Sequence, residues 1–349
     1  MNKKQTSEGT PFLYPVGKLP AEELARLLAK YTHHNQRVVV RPGVGRDATV
    51  ISFPDGYLVA KTDPITFATD MIGWYVVHVN ANDVAVMGGI PRWFLATVLL
   101  PEKKAGPSEV EAIFAQISEA CEELGVVLCG GHTEITGGLD RPIIVGQMLG
   151  EVERAKLIVP ERACPGDDIL LTKGIAIEGT ALIARERGEL QQYLDEDFLR
   201  RCRNFLKDPG ISVVREARIA SRVAEVHAMH DPTEGGLATG LHELAWAAGV
   251  GMRVEMEKIF ILPETALLCQ EFKLDPLGLI ASGALLLVAP TEESSKIIAA
   301  LAAEGIPVSV IGKIGESEEG IKLLKQGKVE DLPLFKRDEV ARLFERGGS

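Results

Sequence analysis

The chain lacks several features that would assign a function at once. None of its five cysteines, Cys121, Cys129, Cys164, Cys202 and Cys269, forms a CxxC pair, and the count is odd. Neither a disulfide framework nor a zinc site is indicated by that spacing. Cys121 falls in a predicted helix and reads as a small core residue. No apolar run is long enough to span a bilayer, which argues against a membrane partner. The opening Met1–Thr10 is polar and has no signal-peptide core, so a cytoplasmic address is expected. No basic cluster stands out to neutralise phosphates, and the formal net charge is −11, which argues against nucleic acid. An anionic substrate stays compatible, because a bound divalent cation reverses the local sign. Two nucleotide fingerprints are missing as well. Gly43-Val44-Gly45 lacks the third glycine and following helix of a dinucleotide site, and Lys173-Gly174 lacks the P-loop spacing.

What is present is an ordinary globular composition, 46% apolar and 25% charged, over 349 residues. That length suggests two domains. Residues 1–17 read as a loose arm, and Pro160 with Pro165-Gly166 punctuates a boundary within 154–166. The expected halves are 18–155 and 160–349. In the first, Pro20–Tyr31 reads as a helix, Arg37–Arg41 and Ala48–Phe53 as strands, and Gly56–Thr62 as a strand stopped by Asp63-Pro64. Trp93–Leu100 reads as a strand, Pro107–Leu124 as a helix capped by Ser108, and Val126–Leu128 as a short strand before a turn at Gly130–Glu134. Ile143–Val152 is a further strand. The second half alternates strands and helices from Asp168 onward and ends in a charged helix over Asp338–Arg346.

The densest signal is Asn80-Ala81-Asn82-Asp83 inside the apolar segment Ile72–Met87. The segment predicts a largely buried helix. Buried amides and carboxylates are costly without partners, so these groups either face a ligand or metal or satisfy one another. Four acids, Asp47, Asp63, Asp83 and Glu134, stand where strands or loops end, each near glycine or a chain-turning residue. Mg²⁺ bridging phosphates needs carboxylates gathered in this way, and glycines such as Gly45 let backbone N–H groups approach phosphate. Any one acid alone is more often a cap or turn former, and it is their repetition that points to a metal. His132 is open between a base, a metal ligand, a phosphate donor and a structural role. His230-Asp231 ends a strand before a glycine-rich helix start, where Thr233 either caps the helix or helps to bind an anion.

Taken in order, five segments resemble the aminoimidazole ribonucleotide synthetase superfamily over about residues 16–325. They are Gly43-Val44-Gly45-Arg46-Asp47-Ala48-Thr49-Val50, Thr62-Asp63, Asn82-Asp83 with Met87-Gly88, Gly130-Gly131-His132-Thr133-Glu134, and Asp231-Pro232-Thr233-Glu234-Gly235-Gly236-Leu237. The last turn, with Asp275-Pro276-Leu277 and Gly278–Ala289, looks most like the hydrogenase-maturation carbamoyl dehydratase branch. The resemblance implies an α/β (α+β) fold of two domains, a homodimer whose N-terminal strands share a barrel, and ATP with Mg²⁺ in a cleft. It implies Asp47, Asp63 and Asp83 as metal residues, Asn82, Gly45, Arg46, Asp231 and Thr233 as nucleotide-binding residues, and His132 or Glu134 as the catalytic group. Arg46 stands where the family often has an acid, as does His132, so fewer metals or a direct arginine–phosphate contact are implied. No cysteine precedes Cys121 and the last is Cys269. The expectation is therefore a chain without the branch's terminal thiol. Three functions follow: an ATP-dependent enzyme activating an amide or carbonyl oxygen of an unknown small-molecule or protein acceptor, a non-catalytic nucleotide-binding scaffold, or a maturation protein lacking its cysteine tail.

Overall fold

The computed structural model describes residues 14, 18–66 and 68–344. Apart from Tyr14, the expected arm lies outside the described residues, as do positions 345 and 346 of the expected tail helix. The first half begins with α1 (Ala21–Tyr31). Its strands are β1 (Val38–Val40), β2 (Thr49–Phe53), β3 (Gly56–Ile65), β4 (Ile90–Pro101), β5 (Val127–Thr136) and β6 (Ile143–Val152). Helix α2 (Ile72–Val86) joins β3 to β4, and α3 (Pro107–Leu124) joins β4 to β5. The strands form one sheet in the order β1-β2-β3-β6-β4-β5, antiparallel except for the β4–β5 pair.

The second half carries β7 (Asp168–Thr172), α4 (Ile177–Glu186), α5 (Glu196–Asn204), α6 (Val214–Val223), β8 (Ala228–His230), α7 (Gly236–Ala248) and β9 (Gly251–Glu255). It continues with α8 (Pro263–Phe272), β10 (Leu286–Ala289), α9 (Thr291–Ala303), β11 (Val308–Gly315), β12 (Ile321–Lys325), β13 (Lys328–Asp331) and a single turn, α10 (Ala341–Phe344). Its sheet runs β13-β12-β9-β11-β7-β10-β8, with β9–β12 the parallel pair. Among the described residues no helix is long and apolar enough to cross a membrane.

Every residue of α2 is buried, polar ones included. One side lies on the first sheet. The other packs into the second half, where Ile72 to Val84 share a core with Ala181 and Leu182, and Ala85 and Val86 with Leu170 and Val213. A helix enclosed on all sides has no polar face to show, so its sequence carries no amphipathic stripe. The helix lies directly on the sheet at Gly146, where a Cβ would come within 2.4 Å of the Asn80 amide nitrogen.

Alternation along each strand divides the first sheet into two faces. Lys61 and Asp63 point toward α2, and Thr62 and Pro64 point away. Cross-strand pairing carries this division across the sheet. Asp63 lies in one row with Gly146, Ala96 and Gly131, and Pro64 in the next row with Val145, Thr97 and His132.

Four local expectations are corrected. Asp63-Pro64 does not stop β3, which runs on to Ile65, because β6 keeps pairing through Ile65–Ile144 and Pro64 forfeits only one donor. The expected turn at Gly130–Glu134 is extended strand, because β4 supplies a parallel partner along its length. Ser108 does not cap α3: the cap position is Gly106, and Pro107 takes the first helical position, where its missing N–H costs nothing. Thr233 does not cap α7 either. The cap is Gly235, and the Thr233 carbonyl accepts the Gly236 N–H at 3.0 Å within the preceding turn.

Candidate functional site

The loop between β1 and β2 is pressed onto α7. Gly45 sits at φ +72, and a Cβ there would come 2.0 Å from the Glu243 carbonyl oxygen, so only glycine fits both the conformation and the approach. Two residues on, this brings Asp47 to the end of β8. Asp47 Oδ1 lies 2.8 Å from His230 Nδ1, and His230 Nε2 lies 3.3 Å from Glu243 Oε2. Lys18 Nζ closes the row at 3.2 Å from Glu243 Oε1 and 3.4 Å from Thr233 Oγ1.

The first sheet contributes from the other side. Lys61 and Asp63 project from the same face of β3, and Lys61 Nζ lies 3.3 Å from Asp63 Oδ2 and 3.1 Å from Asp83 Oδ1 on α2. Asp231, next to His230, is 2% exposed, and neither of its carboxylate oxygens has a hydrogen-bond partner. Asp83 Oδ2 also lacks one. Three carboxylate oxygens are thus buried and unpaired in one place, which is costly unless they hold protons or a cation.

The titration behaviour follows from this crowding. Burial, with Asp47 next, pushes Asp231 up to about 8. Asp83 is pushed well above the usual carboxylate range, chiefly by burial, against the pull of Lys61 and reinforced by Asp231, Asp63 and Asp47. Lys61 rises because Asp83, Asp63 and Asp47 overcome its burial. His230 rises because Asp47 and Glu243 overcome its burial. Glu243 falls to about 2 despite burial, held down by His230 and Lys18. Asp47, His230 and Asp231 each offer a donor atom within 4.8 Å of the others, a grouping able to hold a metal ion.

The expected residues divide into those gathered here and those placed elsewhere. Asp47, Asp63, Asp83 and Asp231 converge, with Thr233 at the margin. Arg46 is turned away: its guanidinium pairs with Glu161 and donates to the Arg41 carbonyl at 3.2 Å. The Asn82 amide acts as a clamp, donating to the Ile211 carbonyl at 2.9 Å and accepting the Val213 N–H at 2.8 Å. His132 and Glu134 are exposed and 3.4 Å apart, on the sheet face opposite Lys61 and Asp63. Sequence reasoning overlooked Lys61, Glu243 and Lys18, marked Asn80 as a buried polar group without naming its partner, and gave His230 no role of its own. Lys61 had a signal, standing two positions before Asp63 on a strand, and so did His230, adjacent to Asp231. Glu243 and Lys18 had none, because tertiary folding alone brings them here.

Comparison with known proteins agrees with this architecture. Residues 45–152 match the N-terminal domain model of AIR synthase related protein, and residues 164–324 match its C-terminal domain model. Carbamoyl dehydratase HypE of Cupriavidus necator is 30% identical over 265 residues, covering 74% of this chain and 72% of that protein. Carbamoyl dehydratase HypE of Rhizobium leguminosarum bv. viciae is 28% identical over 280 residues, 77% of each. The crystal structure of hydrogenase maturation protein HypE in complex with ATP superposes with a TM-score of 0.69 at 22% identity, covering 90% of this chain and 91% of that one. The chain belongs to the AIR synthase related family and has its two-domain mixed α/β fold.

Proposed function

We propose that this member of the AIR synthase related family is a Mg²⁺- and ATP-dependent enzyme that activates an amide or carbonyl oxygen of an acceptor by phosphoryl transfer. The observation that carries this reading is the buried excess of carboxylate at Asp83 and Asp231, with three unpartnered oxygens beside Asp47. Carboxylates gathered from separate loops suit Mg²⁺, which prefers oxygen donors and keeps waters for phosphate to replace. Asp47, Asp63, Asp83 and Asp231 would hold the ion, whose chemistry is to neutralise charge on phosphate oxygens. Lys61 and Lys18 supply fixed positive charge at the same place, Lys61 between two of the acids and Lys18 beside Thr233.

The name of these relatives, carbamoyl dehydratase, suggests an amide acceptor, and the ATP complex suggests the donor. Loss of water from a primary amide needs its oxygen to become a leaving group. Transfer of the γ-phosphoryl group to that oxygen breaks the bond to ADP, and the oxygen then departs as phosphate while the nitrogen gives up its protons. The nucleotide-binding half is taken as residues 18–155 and the companion half as 160–349.

A homodimer fits the same reading. The outer face of the first sheet presents Leu58, Trp93, Leu95, Leu99, Val145 and Leu149, all partly exposed, and no described helix covers it. Two such faces closing into a barrel would turn His132 and Glu134 toward the partner subunit, where they would serve the shared cleft.

One arrangement favours the non-catalytic scaffold as a second reading. In a single chain His132 and Glu134 stand away from the acids, leaving the cluster without the expected catalytic pair. Calorimetric titration of ATP with and without Mg²⁺ tests both. Micromolar, Mg²⁺-dependent binding supports the site, and absence of binding overturns it. Mg²⁺-dependent ATP consumption with a carbamoylated acceptor then separates enzyme from scaffold.

A further inference from the structure

The turn leading into β7 carries a second set of donor side chains, apart from the acidic cluster. A sulfur from Cys164, a carboxylate oxygen from Asp167 and a ring nitrogen from His227 all lie within 4.8 Å of one another. Asp167 immediately precedes β7 and His227 immediately precedes β8. Strand β10 runs between them, with Ala289 opposite Asp168 and Val288 opposite Ala228, so both residues sit at the same end of the sheet.

The group is held by its backbone as well as by its side chains. The Cys164 N–H donates to Asp167 Oδ2 at 2.8 Å, the Asp167 N–H to the Cys164 carbonyl at 3.1 Å, and the His227 N–H to the Val288 carbonyl at 2.8 Å. His227 Nδ1 lies 2.7 Å from Asp167 Oδ2. The Asp167 and His227 side chains are largely buried, and Cys164 is exposed.

We propose that Cys164, Asp167 and His227 form a binding site for a borderline-soft divalent cation, with Zn²⁺ the best match. One thiolate, one imidazole and one carboxylate are the donor types this ion takes, and three protein ligands leave a fourth position for water or a small anion. Hard cations such as Mg²⁺ favour sets made of oxygen alone. The exposed Cys164 side leaves that fourth position facing solvent. Glu225 Oε1, on an exposed side chain, lies 3.6 Å from His227 Nε2, the ring nitrogen that does not face Asp167.

Strand β8 therefore separates two sites of opposite preference. His230 and Asp231 at its end belong to the oxygen-rich cluster, and His227 at its start belongs to the thiol set. Three residues of extended chain put them roughly 10 Å apart. The sites share no residue, so the failure of either reading leaves the other standing. Spacing along the sequence gave no sign of this set, because His227 lies far from the Cys164–Asp167 turn.

Titration of Co²⁺ into the reduced full-length chain tests the site. The expected result is a near-ultraviolet thiolate-to-cobalt charge-transfer band with tetrahedral visible absorption, saturating at a single equivalent and bleached by Zn²⁺. The acidic cluster has no sulfur and cannot produce that band. Burial pushes the thiols of Cys121, Cys202 and Cys269 up to about 11, 12 and 12, so they are poor sources of thiolate. Cys164→Ser should abolish the band, and His227→Gln should weaken cobalt affinity at least about tenfold, since even outer-shell changes cost about 10–100-fold. Cys129→Ser, which removes the other exposed thiol, and Asp47→Asn should leave the band intact. No charge-transfer band, or a band that survives Cys164→Ser, overturns the assignment.

Discussion

Asn80 holds Asp63 by both of its backbone polar groups. Its Oδ1 accepts the Asp63 N–H at 2.9 Å and its Nδ2 donates to the Asp63 carbonyl at 3.3 Å, while the same nitrogen donates to the Val76 carbonyl at 2.8 Å. Helix α2 thus positions an acid that belongs to a strand. Asn80→Ala strands the Asp63 N–H and should cost about 1–3 kcal/mol of stability by urea denaturation. Asp63→Ala should weaken Mg²⁺·ATP binding and Asn80→Ala should weaken it in the same direction, and an unchanged affinity in Asp63→Ala would remove Asp63 from the site.

The Lys61–Asp83 pair gives a second expectation. Asp83→Asn should abolish Mg²⁺-dependent nucleotide binding with the circular dichroism spectrum unchanged. Lys61→Met removes the positive charge lodged among the acids. It should tighten Mg²⁺ binding in the absence of nucleotide and weaken ATP binding, both read by calorimetry. Equal effects of the two substitutions would show that the pair acts only as a structural ion pair.

Stability should fall as pH rises when no divalent cation is present. Asp231 titrates near 3.8 when unfolded and at about 8 when folded, so its contribution is full below about pH 4 and lost progressively toward pH 8. Asp83 has the same sign, and so does His230, whose raised value stabilises the fold below 6.5 and stops doing so above its folded value. Glu243 opposes them only in strong acid, where protonation toward about 2 removes its stabilising charge. Thermal denaturation should show Asp231→Asn flattening the slope between about pH 4 and pH 8, the interval between its unfolded and folded values. Mg²⁺ should raise the melting temperature more at the upper end, where it no longer competes with protons.

Asn82 and Arg46 separate fold from site. Asn82→Ala leaves the Ile211 carbonyl and Val213 N–H without partners in a buried setting and should cost about 2 kcal/mol. Arg46→Ala removes a partly exposed ion pair and should cost less than about 1 kcal/mol. Neither should change nucleotide affinity more than about twofold, because the side-chain partners of both, Glu161 and Arg41 for Arg46 and Ile211 and Val213 for Asn82, are not among the clustered acids. A large loss of ATP binding in Arg46→Ala would mean that the guanidinium leaves Glu161 to meet phosphate.

The acids were legible in the sequence through their repetition, since one carboxylate beside glycine is commonly a turn former but four of them at strand and loop ends are not explained by turns alone. Buried α2 was legible because its polar residues interrupt an otherwise continuous apolar run. Asn82 and Asn80 were harder to tell apart. Both are amides one turn from Asp83 or beside it, yet one clamps the α6 segment and the other grips Asp63, and only the packing partner decides which. The strand at His132 was hidden because a Gly-Gly pair reads as a turn, and the parallel partner that keeps it extended is supplied by β4, more than 30 positions earlier in the chain. Strand alternation then sends its side chain to the far face, a consequence of register that no local pattern contains.

Helix α2 belongs to two hydrophobic cores at once. Neither half is then a complete folding unit, since cutting the chain after β6 would strip α2 of its cover and leave α4 and α6 facing water. Melting should proceed as one all-or-none transition, with calorimetric and van't Hoff enthalpies in agreement, despite the two sheets. A ligand gripped by Asp83 would likewise steady the companion half, because the acid and the packing surface are turns of the same rod.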